Sequence, residues 1–253
     1  MRLLITNDDG INSIGLQTLV KEMEKDNEVW VVAPDRQRSA CGHSITINKP
    51  LFVKEVKIEG IKSRCFNVDG TPADCVKVAM ERIIKGKIDM VLSGINKGPN
   101  LGTDVIYSGT VSAAIEAAIY KIPSAAISLD VKEDEGNYST AAKYAAKIVS
   151  TARENYISND IVLNINVPHI DEKYIKGIKV CQLGNRIYAN YYIESLREDK
   201  TVGLLLQGDP KDSDEENTDV YYLKKGYVTL TPLHYDLTNF KILNDVNKWF
   251  EKH

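Results

Sequence analysis

Residues 2–23 read RLLITNDDGINSIGLQTLVKEM, and the order of residue types in this stretch decides the fold. Residues 2–6 are a short apolar run of strand length. The polar segment 7–13, with Gly10 inside it, breaks that run. Leu16, Leu19, Val20 and Met23 then recur at i, i+3, i+4 and i+7, the stripe of an amphipathic helix.

The alternation continues outward. Residues 28–33 read as a second strand, ended by Pro34, and 72–84 as a helix with Pro72 suited to its first turn. A buried strand over 90–93 and an alanine-rich helix over 110–121 follow. Strands over 124–129 and 161–167 are separated by a helix over 139–155. Strands alternating with helices predict an α/β, Rossmann-like fold: a mainly parallel sheet flanked by helices. Ligands of such sheets sit beyond the carboxyl ends of the strands. The polar clusters at 7–10, 34–42 and 93–109 each follow a strand, so they should meet on one rim.

The remainder has a different texture. Residues 44–58 alternate loosely around Pro50 and suggest a hairpin, and 209–219 read as an exposed acidic loop. Residues 227–231 suggest a strand. Phe240, Leu243, Val246 and Phe250 suggest a C-terminal helix. With no repeat and no low-complexity linker, the chain reads as one domain over 1–253. Its catalytic core would span 1–185, and its extension of hairpin, strand and helix 186–253. Residues 186–206 are rich in aromatic and branched apolar side chains yet lie outside the alternating core. Apolar surface of that kind is usually buried against a partner, so the C-terminal third is expected to serve assembly.

Bulk properties bound the function. The 253 residues are 43% hydrophobic, and 32 basic against 35 acidic side chains leave a net charge of −3. That balance speaks against duplex nucleic acid and anionic membrane surfaces as partners. A small anionic substrate remains compatible, because a bound metal ion reverses the local field. No apolar run reaches ~18 residues, so no membrane span is expected, and the N-terminus does not read as a secretory signal. Cys41, Cys65, Cys75 and Cys181 show no CxxC spacing, which suits reduced thiols in the cytoplasm.

Three clusters carry chemistry. Asp8 and Asp9 are adjacent carboxylates whose repulsion calls for a cation, a raised pKa or exposure to water; an ordinary turn with a capping aspartate is the plain alternative. The stretch from Pro34 to Gly42 has the hydroxyl, the arginines and the glycine of an anion-facing loop, or of a solvated one. In the third, Asn96 offers a neutral amide oxygen, and Ser108-Gly109-Thr110 open the alanine-rich helix where free N–H groups favour phosphate. A simple helix cap competes with that reading. The four histidines, His43, His169, His234 and His253, form no HExxH, and neither Ser39 nor Ser108 sits in a GxSxG elbow.

Taken in order, these stretches resemble the stationary-phase survival protein SurE family of nucleotidases. The resemblance runs through Asn7-Asp8-Asp9-Gly10, Val32-Ala33-Pro34 to Gly42, Val68-Asp69-Gly70-Thr71-Pro72-Ala73-Asp74, and Ser93-Gly94-Ile95-Asn96 to Gly102. It continues in Tyr107-Ser108-Gly109-Thr110-Val111, in 163–168 and in 226–233. It implies one divalent cation per subunit, Mg²⁺ or Mn²⁺, on Asp8, Asp9, Ser39 and Asn96. It implies substrate contacts from Asn7, Ser39, Gly42, Asn96, Ser108, Gly109 and Thr110, with Asp8 and Asp9 catalytic. Nucleoside 5′-monophosphates are the implied substrates, 3′-monophosphates and short polyphosphate being open extensions. Dimers with exchanged C-terminal segments, sometimes paired into tetramers, are implied as well. The competing reading is a nucleotide- or phosphate-binding module without turnover, since fold alone does not choose. Attack by water and a covalent aspartyl-phosphate at Asp8 both stay open.

Overall fold

The computed structural model describes residues 1–131, 136–155, 160–212 and 214–251. In chain order the elements are β1 (Arg2–Thr6), α1 (Ile14–Met23), β2 (Glu28–Pro34), β3 (Val53–Val56), β4 (Arg64–Val68), α2 (Pro72–Val78), β5 (Met90–Lys97) and α3 (Gly109–Ile119). They continue with β6 (Ser124–Asp130), α4 (Tyr138–Glu154), β7 (Val162–Pro168), β8 (Ile178–Val180), β9 (Arg186–Leu196), β10 (Val202–Asp212), α5 (Asp219–Lys224), β11 (Val228–Leu233) and α6 (Phe240–Phe250). The main sheet has the order β3-β4-β2-β1-β5-β6-β7-β11-β8. It is parallel except where β3 meets β4 and β11 meets β7. This is the expected α/β sheet.

Successive residues of β1 serve opposite faces. Leu3 and Ile5 pack with α1 and α4 residues such as Leu16, Leu19 and Ala141, while Leu4 packs with Val32, Val91, Ala113 and Ala117 on the other side. Burying one such leucine contributes about 1.5–3 kcal/mol relative to leaving it in water. An aspartate at Leu4 would place an unpaired charge there and break that face. Local signals set the helix starts. Ser13 caps α1 by accepting from Leu16 N, and Thr71 and Asp74 form a reciprocal capping box around Pro72 at the head of α2. Past Val78 the backbone continues as a wider π-type turn over Ala79–Ile83, which accounts for the longer helix expected over 72–84.

Three expectations are corrected. The hairpin over 44–58 does not form: only β3 is a strand there, and its partner is β4. Pro50 has no N–H for a ladder, and the preceding segment is captured by the buried Asp74, which accepts from Thr46 N at 2.9 Å and Thr46 Oγ1 at 2.7 Å. The acidic stretch 209–219 is not a loop throughout, because β10 runs to Asp212 and Asp219 is fully buried at the head of α5. There Asp219 accepts from Gly102 N at 2.8 Å and Gly184 N at 2.7 Å, which offsets part of the cost of its burial. The strand placed in the C-terminal extension, β11, is a core strand lying between β7 and β8.

The rest of the C-terminal segment projects. β9 and β10 pair antiparallel from Arg186↔Asp212 to Leu196↔Val202 as a separate two-stranded ribbon. No residue of α6 is buried, although Phe240, Ile242, Leu243 and Phe250 are apolar.

Candidate active site

Asp8 and Asp9 leave β1 at the carboxyl rim, beside the ends of β2 and β5. Asn7 shapes the turn. It is fully buried, its Oδ1 accepts from Gly10 N at 3.2 Å, and its Nδ2 donates to Gly10 O at 3.0 Å and Ser13 Oγ at 2.7 Å. Both ends of the amide therefore hold the loop. Gly10 adopts φ 96°, and a Cβ there would lie 3.0 Å from the Arg36 carbonyl carbon.

The two carboxylates differ in environment. Asp8 is buried, and Thr110 Oγ1 donates to its Oδ1 at 2.5 Å. Burial pushes its carboxyl up to about 6, against the pull of the Thr110 hydroxyl, and the neighbouring Asp9 charge adds to the rise. Asp9 is half-buried and is also raised by burial, opposed by Lys97 N at 3.1 Å and Gln37 Nε2 at 3.3 Å. Two adjacent carboxyls held above their ordinary range are what a cation would relieve.

The other segments close around this pair. Arg38 N donates to the Asp8 carbonyl at 2.7 Å, bringing the loop with Ser39 over the turn. Ser39 is exposed, and its hydroxyl bonds to none of the described residues. Gly42, at φ 55°, spends its N–H on Tyr107 O at 3.1 Å and so fastens this loop to the lead-in of α3. Asn96 donates through Nδ2 to Gly98 O at 2.8 Å, which leaves Oδ1 to accept. The Lys97 N–H on Asp9 keeps Asn96 next to that carboxylate. Two carboxylates, an amide oxygen and a hydroxyl are donors of the hard-oxygen type that suits a cation such as Mg²⁺ or Mn²⁺. Among the described residues no cluster of three or more His, Cys, Asp or Glu offers an alternative.

At the head of α3 the cap and the anion-site readings divide between neighbours. Ser108 is the N-cap: its Oγ accepts from Val111 N at 3.1 Å and its carbonyl accepts from Ser112 Oγ at 2.6 Å. Gly109 touches the site itself, for a Cβ there would lie 3.0 Å from Asp8 Oδ2 and 3.0 Å from Cys41 Sγ. The rim thus gathers Asp8, Asp9, Asn96, Gly109, Thr110 and the Ser39 loop, while Asn7, Gly42 and Ser108 are spent on holding them.

Other side chains that position the rim were not singled out in the sequence. Asn100 is held by Asn166 Oδ1 on its N–H at 2.8 Å, by Ser128 Oγ at 2.8 Å, and through its carbonyl by Asn164 Nδ2 at 2.9 Å. The signal was present: two asparagines at i and i+2 in the apolar run of β7 must share a face. His43 meets the buried Glu116. His234 is exposed beside an apolar cavity of about 500 Å³ whose wall includes His43, Val111 and Leu237 but not Asp8. His253 lies outside the described residues.

Fold and site together define a Rossmann-like α/β protein with a pair of adjacent carboxylates at the carboxyl rim of its sheet, set against a helix N-terminus. The chain matches the family described as "Survival protein SurE" over residues 3–190. It is 53% identical over 250 residues to the 5′-nucleotidase SurE of Clostridium tetani, covering 99% of this chain and 100% of that one. Against the 5′-nucleotidase SurE of Clostridium beijerinckii it is 52% identical over 256 residues, with both chains fully covered. The crystal structure of the SurE protein from Aquifex aeolicus superposes with a TM-score of 0.85 at 38% identity, covering 98% of this chain and 99% of that one. This chain belongs to the SurE family.

Proposed function

We propose that this chain is a divalent-metal-dependent phosphomonoesterase that hydrolyses nucleoside 5′-monophosphates to nucleoside and phosphate. The observation that carries the proposal is the Asp8–Asp9 pair, raised by burial and set against the first turn of α3. A plain phosphate-binding module would gain nothing from two carboxylates facing its anion. Full-length relatives named as 5′-nucleotidases, at about half identity, support the substrate class.

Asp8, Asp9, Asn96 and Ser39 would hold one Mg²⁺ or Mn²⁺, which when bound polarises a phosphoryl oxygen. The remaining work falls to the chain. The first-turn N–H of Gly109 and the positive end of α3 favour the negative charge that develops on the phosphoryl oxygens. Thr110 fixes the orientation of Asp8 through Oδ1. Asp8 takes the proton of the attacking water and passes it to the departing 5′-oxygen as the phosphorus–oxygen bond to the nucleoside breaks.

Assembly belongs to the same proposal. Tyr191, Tyr192, Ile193, Leu204, Leu205 and Leu206 on the ribbon are exposed, as are Phe240, Ile242, Leu243 and Phe250 on α6. Apolar surface of this extent fits a second copy of the chain, in a dimer or a pair of dimers. A cytoplasmic location accords with four free cysteines.

The test is phosphate release from several nucleoside 5′-monophosphates and from p-nitrophenyl phosphate, with and without Mn²⁺. Metal-dependent release from all of them is expected. Binding without release would favour the phosphate-binding module instead. One nucleotide preferred by ~10⁴-fold would contradict recognition centred on the phosphate, since such ratios need dedicated hydrogen bonds to the base.

A further inference from the structure

Glu116 is a buried carboxylate in a helix whose buried residues are mostly small: Ala113, Ala114, Ala117 and Ala118, its neighbours in the sequence of α3, are fully buried. Packing alone would be met by another alanine, which needs no partner. Glu116 instead takes two partners from two other segments. His43 Nε2 lies 2.7 Å from Oε2, and Lys77 Nζ donates to Oε1 at 3.2 Å. Lys77 belongs to α2 and also reaches the Tyr120 hydroxyl at 3.4 Å. Burial works to raise the Glu116 carboxyl, but the bonds from His43 and Lys77 outweigh it and hold the group below its ordinary range. It is therefore a charged anchor.

What it anchors is the loop over the site. After Pro34 the backbone is tied by Asp35 N to Val68 O at 2.8 Å, then by Arg38 N to Asp8 O and Gly42 N to Tyr107 O. Between those last two ties lie Ser39, Ala40 and Cys41, with Ala40 in the left-handed region at φ 52°. The chain reverses there, and His43 follows at once with a side chain that reaches α3. The same helix presents Gly109 and Thr110 to Asp8 about two turns earlier. One rigid rod thus touches Asp8 at its first turn and holds the Ser39 loop further along.

We propose that His43 is a positioning residue whose bond to Glu116 sets the distance between the Ser39 hydroxyl and the Asp8–Asp9 pair, completing the oxygen set for the divalent cation. This rests on the metallophosphatase reading above. Its readout is cation affinity, because Ser39 is a ligand in that reading and not a group that exchanges protons.

The experiment titrates Mn²⁺ into the intact metal-free protein by calorimetry, with turnover at saturating Mn²⁺ measured alongside. His43→Ala is expected to weaken Mn²⁺ binding about tenfold, the lower end of what residues supporting metal ligands contribute. Turnover at saturating Mn²⁺ should fall much less. His43→Gln, which can still donate to Glu116, should recover most of the affinity. In a Ser39→Ala background, His43→Ala should add nothing, because the two act through one contact. If His43→Ala does not fold, His43→Leu decides, since it keeps volume and loses the bond. Unchanged affinity in the folded variant, or losses that add to those of Ser39→Ala, would overturn the proposal while leaving the metallophosphatase intact. A wild-type protein that binds no Mn²⁺ would overturn both.

Discussion

A Cβ placed on Gly109 would lie 2.8 Å from the Cβ of Asp8, closer than two such carbons approach. The first turn of α3 and the carboxylate at the end of β1 are thus in contact at a point where no side chain fits between them. Gly109→Ala should displace one or the other. We expect a loss of at least tenfold in kcat/KM with about 1–3 kcal/mol of destabilisation, the usual range for overpacking. Phosphate release and thermal melting measure the two effects. Wild-type turnover in this variant would mean that Asp8 does not work from the position seen here.

The raised carboxyl of Asp8 makes a prediction about pH. Its folded value of about 6 exceeds the ordinary 3.8, so between those values the native state binds the proton that the unfolded chain has lost. Stability of the metal-free protein should therefore fall as pH rises through this window, by roughly 2–4 kcal/mol once above 6. Asp8→Asn removes that penalty. In chelator at pH 8 it should melt above the wild type, and near pH 4 the two should converge. The opposite order at pH 8 would count against the buried, uncompensated Asp8.

Metal removal should separate the two aspartates. Chelation should abolish turnover, and Mg²⁺ or Mn²⁺ should restore it. Asp9→Asn keeps the side chain's size and one accepting oxygen for the Lys97 N–H while losing one charge, so excess Mn²⁺ should rescue part of its rate. Asp8→Asn should be rescued far less, because a proton-transfer role is typically worth 10²–10⁴-fold. Full activity of a verified metal-free preparation would refute this.

Assembly is tested through α6. Leu243→Asp combined with Phe250→Asp places charge on its exposed apolar face. Light scattering should report a multiple of the chain mass for the wild type and a smaller species for the double variant. A wild type that is monomeric and fully active at micromolar concentration would remove the role assigned to this surface.

Much of the sheet was legible because its strands are short apolar runs. β1, β2, β6 and β7 appear within a residue or two of where the pattern put them. β4 was missed: Arg64 and Asn67 interrupt Cys65, Phe66 and Val68, and its strand character comes from pairing with β2 and β3. α5 was missed because six residues are too few to show a stripe, and the charge of Asp219 suggested water where the fold supplies backbone donors.

The sequence by itself determined the alternation of strand and helix, the placing of polar clusters after strands, and hence the rim on which Asp8, Asp9, Asn96 and the head of α3 would meet. These follow from local periodicity and from the rule that parallel strands end together. Only the tertiary structure decided how the polar groups divide their labour. It turned Asn7, Gly42 and Ser108 inward as supports, paired Asp8 with Thr110, and joined His43 to Glu116. Hydrogen-bond partners and burial depend on which segments are brought together, and segments this far apart in the chain carry no mark of one another until the sheet is built.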